Sequence, residues 1–312
     1  MVVSDIDLRL LKVFRAVVEA GGFSNAQAVL NVSQSTISTQ MSQLETRVGF
    51  VLCQRGRSGF RLTCEGEAFY RRVVELFRSL QSFESQTAEI RGGLSGVLRI
   101  GFLDNIITDA SCPLREAMTR FIRQPDNQVR IALDVLSPAA LEQGVLDLSL
   151  DAAIGIFPHR LAGLKYEPLY QERDVLVCHC SHALARVDDP HLLARALPAT
   201  PRVVRSFLGT AEFPFEDDGR EARVTSLEAS AMLILSGTYV GFLPRHYVQS
   251  WLDSGELVEL LPDKFVRHSQ FHLVTRDTQN ALPTALEVFL RCIHAVQPRP
   301  ALTPLRQAES GR

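Results

Sequence analysis

The feature that most constrains the fold is the stretch Ser24–Gly49, which carries two helix patterns separated by a tight turn. Ser24 is placed to cap the first helix, and Ser33 is placed to cap a second helix that ends at Gly49. In the second helix, apolar residues recur at spacings of four, three and four, which predicts a buried stripe made of Ile37, Met41, Leu44 and Val48. Two short helices joined so closely predict a helix-turn-helix.

The opposite face of this second helix is almost wholly uncharged and polar. Its side chains are short or carry amides, so they can donate and accept hydrogen bonds at the edges of base pairs in a major groove. The predicted base-reading residues are Gln34, Ser35, Ser38, Thr39 and Ser42. The competing interpretation is a solvated helix of a small bundle, since helices with one polar face are common.

The residues that flank this stretch favour a nucleic-acid role. After Gly49 come two short strand patterns around a glycine-bounded tip, which predicts a wing that carries Arg55, Arg57 and Arg61. The first 62 residues hold seven basic and four acidic side chains, although the whole chain has a net charge of −2. Positive charge is therefore concentrated where DNA phosphates would lie.

A long helix follows, for which Thr63 is the predicted cap. Residues that are apolar, except for Thr87, recur along it at spacings of four and three, which is the pattern of a coiled-coil seam: Phe69, Val73, Leu76, Leu80, Phe83, Thr87 and Ile90. This pattern predicts a dimerisation helix, and the alternative is packing on its own chain. The glycine-rich residues 91–96 then predict a hinge.

From Val97 onward, strand patterns alternate with helix patterns, which predicts a mostly parallel sheet with helical crossovers. In the first part the predicted elements are strands at Val97–Leu103, Val129–Val135 and Asp151–Phe157, with helices at Thr108–Arg123 and Pro138–Leu146. The later predicted strands are 164–180, 202–207, 223–225, 239–243, 257–261 and 271–275, with helices after Ser226, after Pro244 and at Leu282–Val296. Residues 298–312 are predicted to be a flexible tail, because they are rich in proline and poor in apolar residues.

Ligands of open α/β sheets bind beyond the carboxyl ends of the strands, so residues near those ends are candidates for a ligand cleft. They are Leu103, Asp104, Asn105, Ser137, Phe157, Arg202, Arg205, Gly241 and Phe242. The two arginines favour a carboxylate, which a guanidinium binds with two hydrogen bonds, whereas Asp104 favours an amine. The alternative is that Asp104 caps the next helix and that the arginines are solvated.

The chain shows none of the sequence motifs of an enzyme that we considered, namely a Gly-x-Ser-x-Gly elbow, a P-loop, a dinucleotide fingerprint or a His-Glu-x-x-His motif. Cys178, Cys180 and His182 could lie on one side of a strand as zinc ligands, but buried strand cysteines explain the same pattern. We therefore predict no metal and no cofactor. Six scattered cysteines, no leader and no long apolar run predict a cytoplasmic protein without a membrane span.

Several of these stretches resemble the LysR-type transcriptional regulators. In the first domain they are Asp7–Phe14, Gly22–Ala26, Val32–Ser38, Leu44-Glu45, Arg61–Thr63 and Gly66–Ala68. Farther along, the similar stretches are Leu98–Gly101, His182–Ala185 and Gly237–Pro244. The chain departs from the family at Ser35, where proline is usual, at Thr39, where a basic residue is usual, and at Cys53, where phenylalanine is usual. Because no residue from Ser24 to Thr46 is basic, Arg47 and the wing arginines are expected to make more of the phosphate contacts than is usual in the family.

The resemblance implies a winged helix-turn-helix, a long linker helix and an α/β effector domain of two Rossmann-like subdomains, similar to periplasmic binding proteins. The implied domains are residues 1–63, 64–92 and 93–297, and the subdomains are 93–170 with 267–297, and 171–266. Chain crossings between the subdomains are expected near 171–174 and 262–267.

As a function, the resemblance implies a transcription factor that binds double-stranded promoter DNA and a small-molecule effector. It also implies a homotetramer and contact with RNA polymerase. Asn105 and Ser137 match positions that contact effectors in related regulators. The alternatives from other classes are a solute-binding module and an enzyme fused to a DNA-binding domain.

Overall fold

The computed structural model describes residues 5–56, 59–90, 94–208, 213, 219–279 and 281–296. The chain divides into two compact units, Met1–Arg91 and Gly92–Arg312, and each is described by itself. The predicted tail at 298–312 and the predicted wing residue Arg57 lie outside the described residues.

The first unit contains a three-helix core, a two-stranded hairpin and a long helix. Its elements are α1 (Asp5–Glu19), α2 (Phe23–Leu30), α3 (Gln34–Val48), β1 (Cys53–Gly56), β2 (Gly59–Leu62) and α4 (Cys64–Ile90). Three residues of the predicted stripe of α3, Ile37, Met41 and Leu44, have no exposed surface, whereas the fourth, Val48, is only partly buried. They pack with α1 around Phe14, and this packing fixes which face of α3 is left outside.

The ends of these helices are set by specific caps. The Ser33 hydroxyl accepts from the Thr36 backbone N–H at 3.2 Å, and Gly49 ends α3 with a positive φ of 84°, as predicted. The prediction that Ser24 caps α2 is wrong. The helix already begins at Phe23, because that ring is buried in the core, and Gly22 takes the cap position without a side-chain bond.

The seam of α4 is divided between two environments. The Gly66 N–H donates to the Thr63 hydroxyl at 2.9 Å, which confirms the predicted cap. Val73 is 2% exposed and packs into the core of its own unit, so the alternative of packing on the same chain holds for this part. Farther along, Leu80 and Phe83 are 37% and 68% exposed, which leaves an apolar edge uncovered within the unit.

The second unit is built on a sheet in which the described residues form nine strands. They are β3 (Val97–Phe102), β4 (Arg130–Val135), β5 (Ala152–Gly155), β6 (Leu164–His179), β7 (Arg202–Arg205), β8 (Glu221–Val224), β9 (Val240–Pro244), β10 (Leu257–Glu259) and β11 (Val266–Arg276). The strand order is β4-β3-β5-β11-β6-β9-β7-β8, with β10 paired to β6. The strands near each end are parallel to one another, whereas the two long central strands β6 and β11 are antiparallel to each other and to their neighbours. The prediction of a mostly parallel sheet is thus right for the two ends and wrong for the centre.

The long pair β6 and β11 connects the two halves of the sheet. Residues 171–174 of β6 pair with 267–270 of β11, so the second crossing begins where the predicted range 262–267 ends. We name these paired residues, 171–174 and 267–270, the hinge. From here on the name refers to them and not to the glycine-rich residues 91–96. One half of the sheet, with β3, β4 and β5, encloses a core of its own, and the other half is covered by a separate core on each face.

Helices cover both halves of the sheet. They are α5 (Leu114–Ile122), α6 (Pro138–Leu146), α7 (Pro190–Ala196), α8 (Leu227–Leu235), α9 (Arg245–Asp253) and α10 (Thr284–Val296). The predicted helix at 108–123 is only partly formed, because Pro113 begins the regular helix and residues 106–108 form a separate short turn. Across the described residues, no helix combines the length and the apolar content that a bilayer crossing requires.

Candidate functional site

The polar face of α3 is open to solvent within the first unit. Gln34, Ser35, Thr39 and Ser42 are exposed and Ser38 is partly exposed, so the structure brings the predicted base-reading residues together on one surface. The Thr39 hydroxyl donates to the Ser35 carbonyl at 3.0 Å. Because its proton is used in this bond, its oxygen can act toward a partner only as an acceptor, and its methyl group can make apolar contacts.

A single carboxylate connects α3 to the start of the wing. The Oε1 atom of Glu45 accepts hydrogen bonds from the backbone N–H groups of Leu52 and Cys53, at 2.8 and 3.4 Å. The Phe60 ring of β2 packs edge-on against Phe23 at the start of α2, with ring centroids 6.0 Å apart. The hairpin is thus attached at both of its sides to the helix-turn-helix.

The basic side chains near α3 fall into two groups. Arg61 is exposed on β2, where it can meet phosphate, and Arg55 lies on the facing strand β1. Arg47, which sequence reasoning also favours for phosphate contact, forms an ion pair with the fully buried Asp7. Arg47 therefore connects α3 to α1. Because Asp7 is 40 positions away in the chain, no local sequence pattern indicates this role.

In the second unit, the predicted cleft residues of one half meet at a single edge of the sheet. Leu103, Asp104 and Asn105 follow β3, Ser137 follows β4 and Phe157 follows β5, and these three strands are parallel neighbours. Asn105 has a positive φ of 57°, an uncommon conformation that asparagine tolerates well. The Ser137 hydroxyl accepts from the Ala140 N–H at 3.4 Å and so caps α6.

Predicted residues of the other half do not all reach that edge. Arg202 is the first residue of β7, at the amino end, and is fully buried in an ion pair with Glu221 at 3.2 Å. Gly241 and Phe242 lie inside β9, buried in cores. The prediction that these residues mark the carboxyl ends of strands is therefore wrong, because each strand continues past them or begins at them.

Asp104 links the two halves of the second unit. Its Oδ2 atom accepts the Leu227 N–H at the start of α8 at 2.7 Å. The Ser226 hydroxyl caps the same helix by accepting from Ala229 at 3.2 Å, as predicted. Asp104 therefore does cap a helix, as the alternative proposed, but the helix is α8 in the other half and not the next one in sequence. The other part of that alternative, solvated arginines, is wrong, because Arg202 and Arg205 are buried.

The hinge carries a buried ionic cluster that sequence reasoning did not identify. Asp174 is fully buried, and its Oδ2 atom accepts from Arg267 at 2.7 Å, from Ser269 at 2.7 Å and from Arg205 at 3.5 Å. Arg205 does lie at the carboxyl end of β7, but this ion pair directs it to the hinge. Three separate segments thus meet at one carboxylate.

A second polar group adjoins this cluster. His246, in the first turn of α9, makes hydrogen bonds to the Thr108 hydroxyl through Nδ1 at 2.8 Å and to the Glu172 carboxylate through Nε2 at 3.0 Å. Asp109 lies 3.7 Å from the same Nε2. The pKa of Glu172 is raised, because the effect of burial exceeds the opposing effect of the hydrogen bond from His246. These residues are distant in sequence, so no spacing signals them.

The zinc candidates lie at and just after the end of β6, in different environments. Cys178 is buried in a core, and burial raises the pKa of its thiol to about 12, which disfavours the thiolate that zinc needs. Cys180 is exposed. The Nδ1 atom of His182 accepts from the Leu184 N–H at 3.1 Å, so this histidine caps a short turn.

Comparisons with known proteins agree on one family. The family models described as bacterial regulatory helix-turn-helix protein, lysR family, and as LysR substrate binding domain match residues 8–67 and 91–298. The HTH-type transcriptional activator BauR of Pseudomonas aeruginosa is 36% identical over 293 residues, which cover 93% of this chain and 95% of BauR.

Solved structures show the same fold. ArgP from Mycobacterium tuberculosis has a TM-score of 0.63 at 16% identity, over 93% of this chain and 97% of ArgP. CbnR, a LysR family transcriptional regulator, has a TM-score of 0.62 at 21% identity, over 93% of this chain and 99% of CbnR.

A winged helix-turn-helix with an open polar helix, followed by a two-half α/β domain, defines a ligand-responsive DNA-binding transcription regulator. The chain belongs to the LysR family of these regulators, and the members of this family are not enzymes.

Proposed function

We propose that this regulator reads promoter DNA through Gln34, Ser35, Ser38, Thr39 and Ser42 of α3, while Arg55, Arg57 and Arg61 of the wing contact phosphates. The observation that supports this most strongly is the exposed, uncharged polar face of α3 beside the attached hairpin. Side chains that donate and accept hydrogen bonds can distinguish base pairs, whereas arginines on a wing bind any sequence.

The proposed targets are promoters of neighbouring metabolic genes, with contact to RNA polymerase in the cytoplasm. The name of the relative BauR, a transcriptional activator, supports activation as the mode of control. The test is binding of the purified protein to DNA fragments from beside its own gene, compared with shuffled fragments. Equal affinity for both at physiological salt would contradict the proposal.

The proposed effector site is the carboxyl edge formed by Leu103, Asp104, Asn105, Ser137 and Phe157 within the domain proposed at 93–297, between its subdomains. LysG of Corynebacterium glutamicum, a structural relative, was solved with its effector arginine bound, which supports a small molecule with an amine or a carboxylate. Because Arg202 and Arg205 are engaged in ion pairs, the preference for a carboxylate now depends on backbone donors such as those at the start of α6.

A thermal-shift screen with amino acids, amines, aromatic acids and dicarboxylates tests the effector site. A ligand at a hundred times its dissociation constant stabilises the fold by about 2.7 kcal/mol. Asn105→Ala and Ser137→Ala are expected to reduce that shift. A shift that both variants leave unchanged would move the site elsewhere.

The proposed assembly is a tetramer with two kinds of contact. The exposed apolar edge of α4 at Leu80 and Phe83 fits a dimer through the linker helix proposed at 64–92. On the edge strand β4, Ile131, Leu133 and Val135 are 36%, 48% and 58% exposed, which fits a second pairing surface.

Two single substitutions test the α4 contact. Leu80→Lys places a charge in the proposed seam, and Ser79→Lys adds the same charge at the neighbouring exposed position. We expect Leu80→Lys alone to lower the sedimentation coefficient and the affinity for a two-half-site operator. Identical behaviour of the two variants would exclude a seam at this position.

A further inference from the structure

Three metal-ligating side chains from three distant segments converge next to the hinge. Asp109 follows the short turn after β3, Glu172 lies on β6 and His246 lies on α9. Their ligand atoms all lie within 4.8 Å of one another. Among the described residues, no other set of three His, Cys, Asp or Glu side chains has this property. Asp109 and Glu172 are almost completely buried, since their side chains are 9% and 2% exposed.

The distances within the group suit a small divalent ion. Zinc binds histidine nitrogen and carboxylate oxygen at about 2.0–2.2 Å in tetrahedral geometry, which puts neighbouring ligand atoms about 3.3 Å apart. Here His246 Nε2 lies 3.0 Å from Glu172 Oε1 and 3.7 Å from Asp109 Oδ2. The third distance, between the two carboxylates, is within 4.8 Å, so rotation of the Asp109 side chain toward the other two would complete the set.

The histidine is already held in the orientation that a metal ligand needs. Its Nδ1 atom lies 2.8 Å from the Thr108 hydroxyl. In the structure, Nε2 hydrogen-bonds to Glu172. Binding of an ion requires the tautomer with the proton on Nδ1, in which the ring donates to Thr108 and Nε2 is unprotonated. Metal-binding histidines commonly donate their second ring N–H to such a partner, which fixes the tautomer.

The surrounding charge also favours a cation. Glu172 is one of two buried carboxylates that follow each other on β6, and Asp174, the other, is already bonded to Arg267 and Ser269. Glu172 has His246 as a hydrogen-bond partner, and the charge of Arg205 also acts on it. A bound divalent ion would offset the cost of keeping Glu172 and Asp109 charged away from water.

An independent observation comes from Tyr170, which precedes Glu172 by two positions on the same face of β6. Its side chain is 8% exposed, and its hydroxyl has no hydrogen-bond partner among the described residues. The neighbours that act on this hydroxyl are Cys112, Glu172 and Asp109, two of which belong to the group. A water molecule on the ion would give the phenol the partner that it lacks.

We infer that Asp109, Glu172 and His246 bind one divalent transition-metal ion of the zinc class, with a water in the fourth position. Imidazole and carboxylate together suit zinc, cobalt or nickel better than calcium or magnesium. Because Asp109 comes from one half of the second unit and His246 from the other, the ion ties the two halves together at the hinge.

The experiment uses the full-length protein, stripped of metal with a chelator and then titrated with zinc and with cobalt. We expect one ion per chain, and a cobalt absorption spectrum of tetrahedral type. Glu172→Gln keeps the shape of the side chain but removes its charge, and His246→Ala removes the nitrogen ligand. Both should abolish binding, and Thr108→Val should weaken it by about 10–100-fold.

The matched control is His294→Ala. His294 also pairs with a glutamate, at 2.7 Å from Glu167, but both side chains are largely exposed and stand apart from the group. This variant should bind metal as wild type does. Circular dichroism checks the fold of each variant, and Glu172→Gln and Thr108→Val decide the matter if His246→Ala does not fold.

Two results would overturn the inference. One is a wild-type protein that binds no zinc or cobalt at micromolar concentrations. The other is stoichiometric binding that Glu172→Gln leaves intact, in particular binding that Cys180→Ser removes, since the ion would then lie near the exposed cysteine instead of at the hinge.

Discussion

The polar face of α3 and the polar cluster of the hinge are opposite solutions to the placement of polar side chains. On α3 they come from one continuous helix and are open to a partner outside the protein. At the hinge, Glu172 and Asp174 come from β6 and Arg267 comes from β11, a strand distant in sequence. These side chains are buried or partly buried and hydrogen-bond to groups inside the protein. A change on α3 should therefore alter what the protein binds, whereas a change at the hinge should alter whether the domain stays folded.

The largest expected effect follows from breaking the hinge at Asp174. Asp174→Asn removes the charge that Arg267 and Arg205 share in a buried site, and breaking such pairs costs about 3–5 kcal/mol. Urea unfolding followed by fluorescence measures it, because the single tryptophan, Trp251, lies on α9 of the same unit. The control is Glu116→Gln, which breaks an exposed pair with Arg120 and should cost less than about 1 kcal/mol. Equal losses in the two variants would mean that the Asp174 cluster contributes no more to stability than an exposed ion pair does.

The next effect concerns the attachment of the wing. A Cβ atom at Gly66 would lie 2.0 Å from the Leu52 carbonyl oxygen, so either α4 or the start of the hairpin must move. We expect Gly66→Ala to destabilise the first unit by about 3 kcal/mol and to weaken binding to all DNA sequences. Circular dichroism during thermal unfolding measures the loss.

The control for that variant is Gly49→Ala. Gly49 has a φ of 84° but open space around its Cβ position, so the cost should be limited to about 1–2 kcal/mol of backbone strain. A Gly66→Ala protein as stable as Gly49→Ala would contradict the close contact with Leu52.

A smaller effect should follow from Asp104→Ala. This change removes the carboxylate that caps α8 from the other half of the sheet, and such caps contribute about 0.5–2 kcal/mol. Because Ser226 still caps the helix, we expect a loss of about 1 kcal/mol in urea and a slightly larger radius of gyration in solution scattering. An unchanged radius together with unchanged stability would show that this bond does not hold the halves together.

The sequence predicts the α3 face well and the hinge poorly. The α3 face, the Ser33 cap and the buried stripe depend on residues within a few positions of one another, so helical periodicity is sufficient to predict them. The first three strands of the second unit, with the cleft residues that follow them, are predictable in the same way.

Sequence periodicity cannot predict the hinge, for a physical reason. Periodicity reports which face of a strand is buried, but it does not report which strands pair, and β11 pairs with a strand about a hundred positions earlier. The prediction for Arg202 fails because Arg202 begins β7, whereas cleft residues follow the carboxyl ends of strands. Sequence reasoning assigns Arg47 to phosphate contact and misses its ion pair, because the partner, Asp7, is on another helix.

The central claim is that α3 reads sequence while the wing supplies affinity, and selection of DNA from a random pool tests it most directly. The proteins to compare are wild type, Gln34→Ala and Arg61→Ala, each with affinities measured at several salt concentrations. Gln34→Ala should lose about 1–3 kcal/mol of discrimination at particular base pairs. Arg61→Ala should keep the selected sequence but bind every sequence more weakly, with a salt slope smaller by about 1. Equal, sequence-independent losses in the two variants would contradict the account.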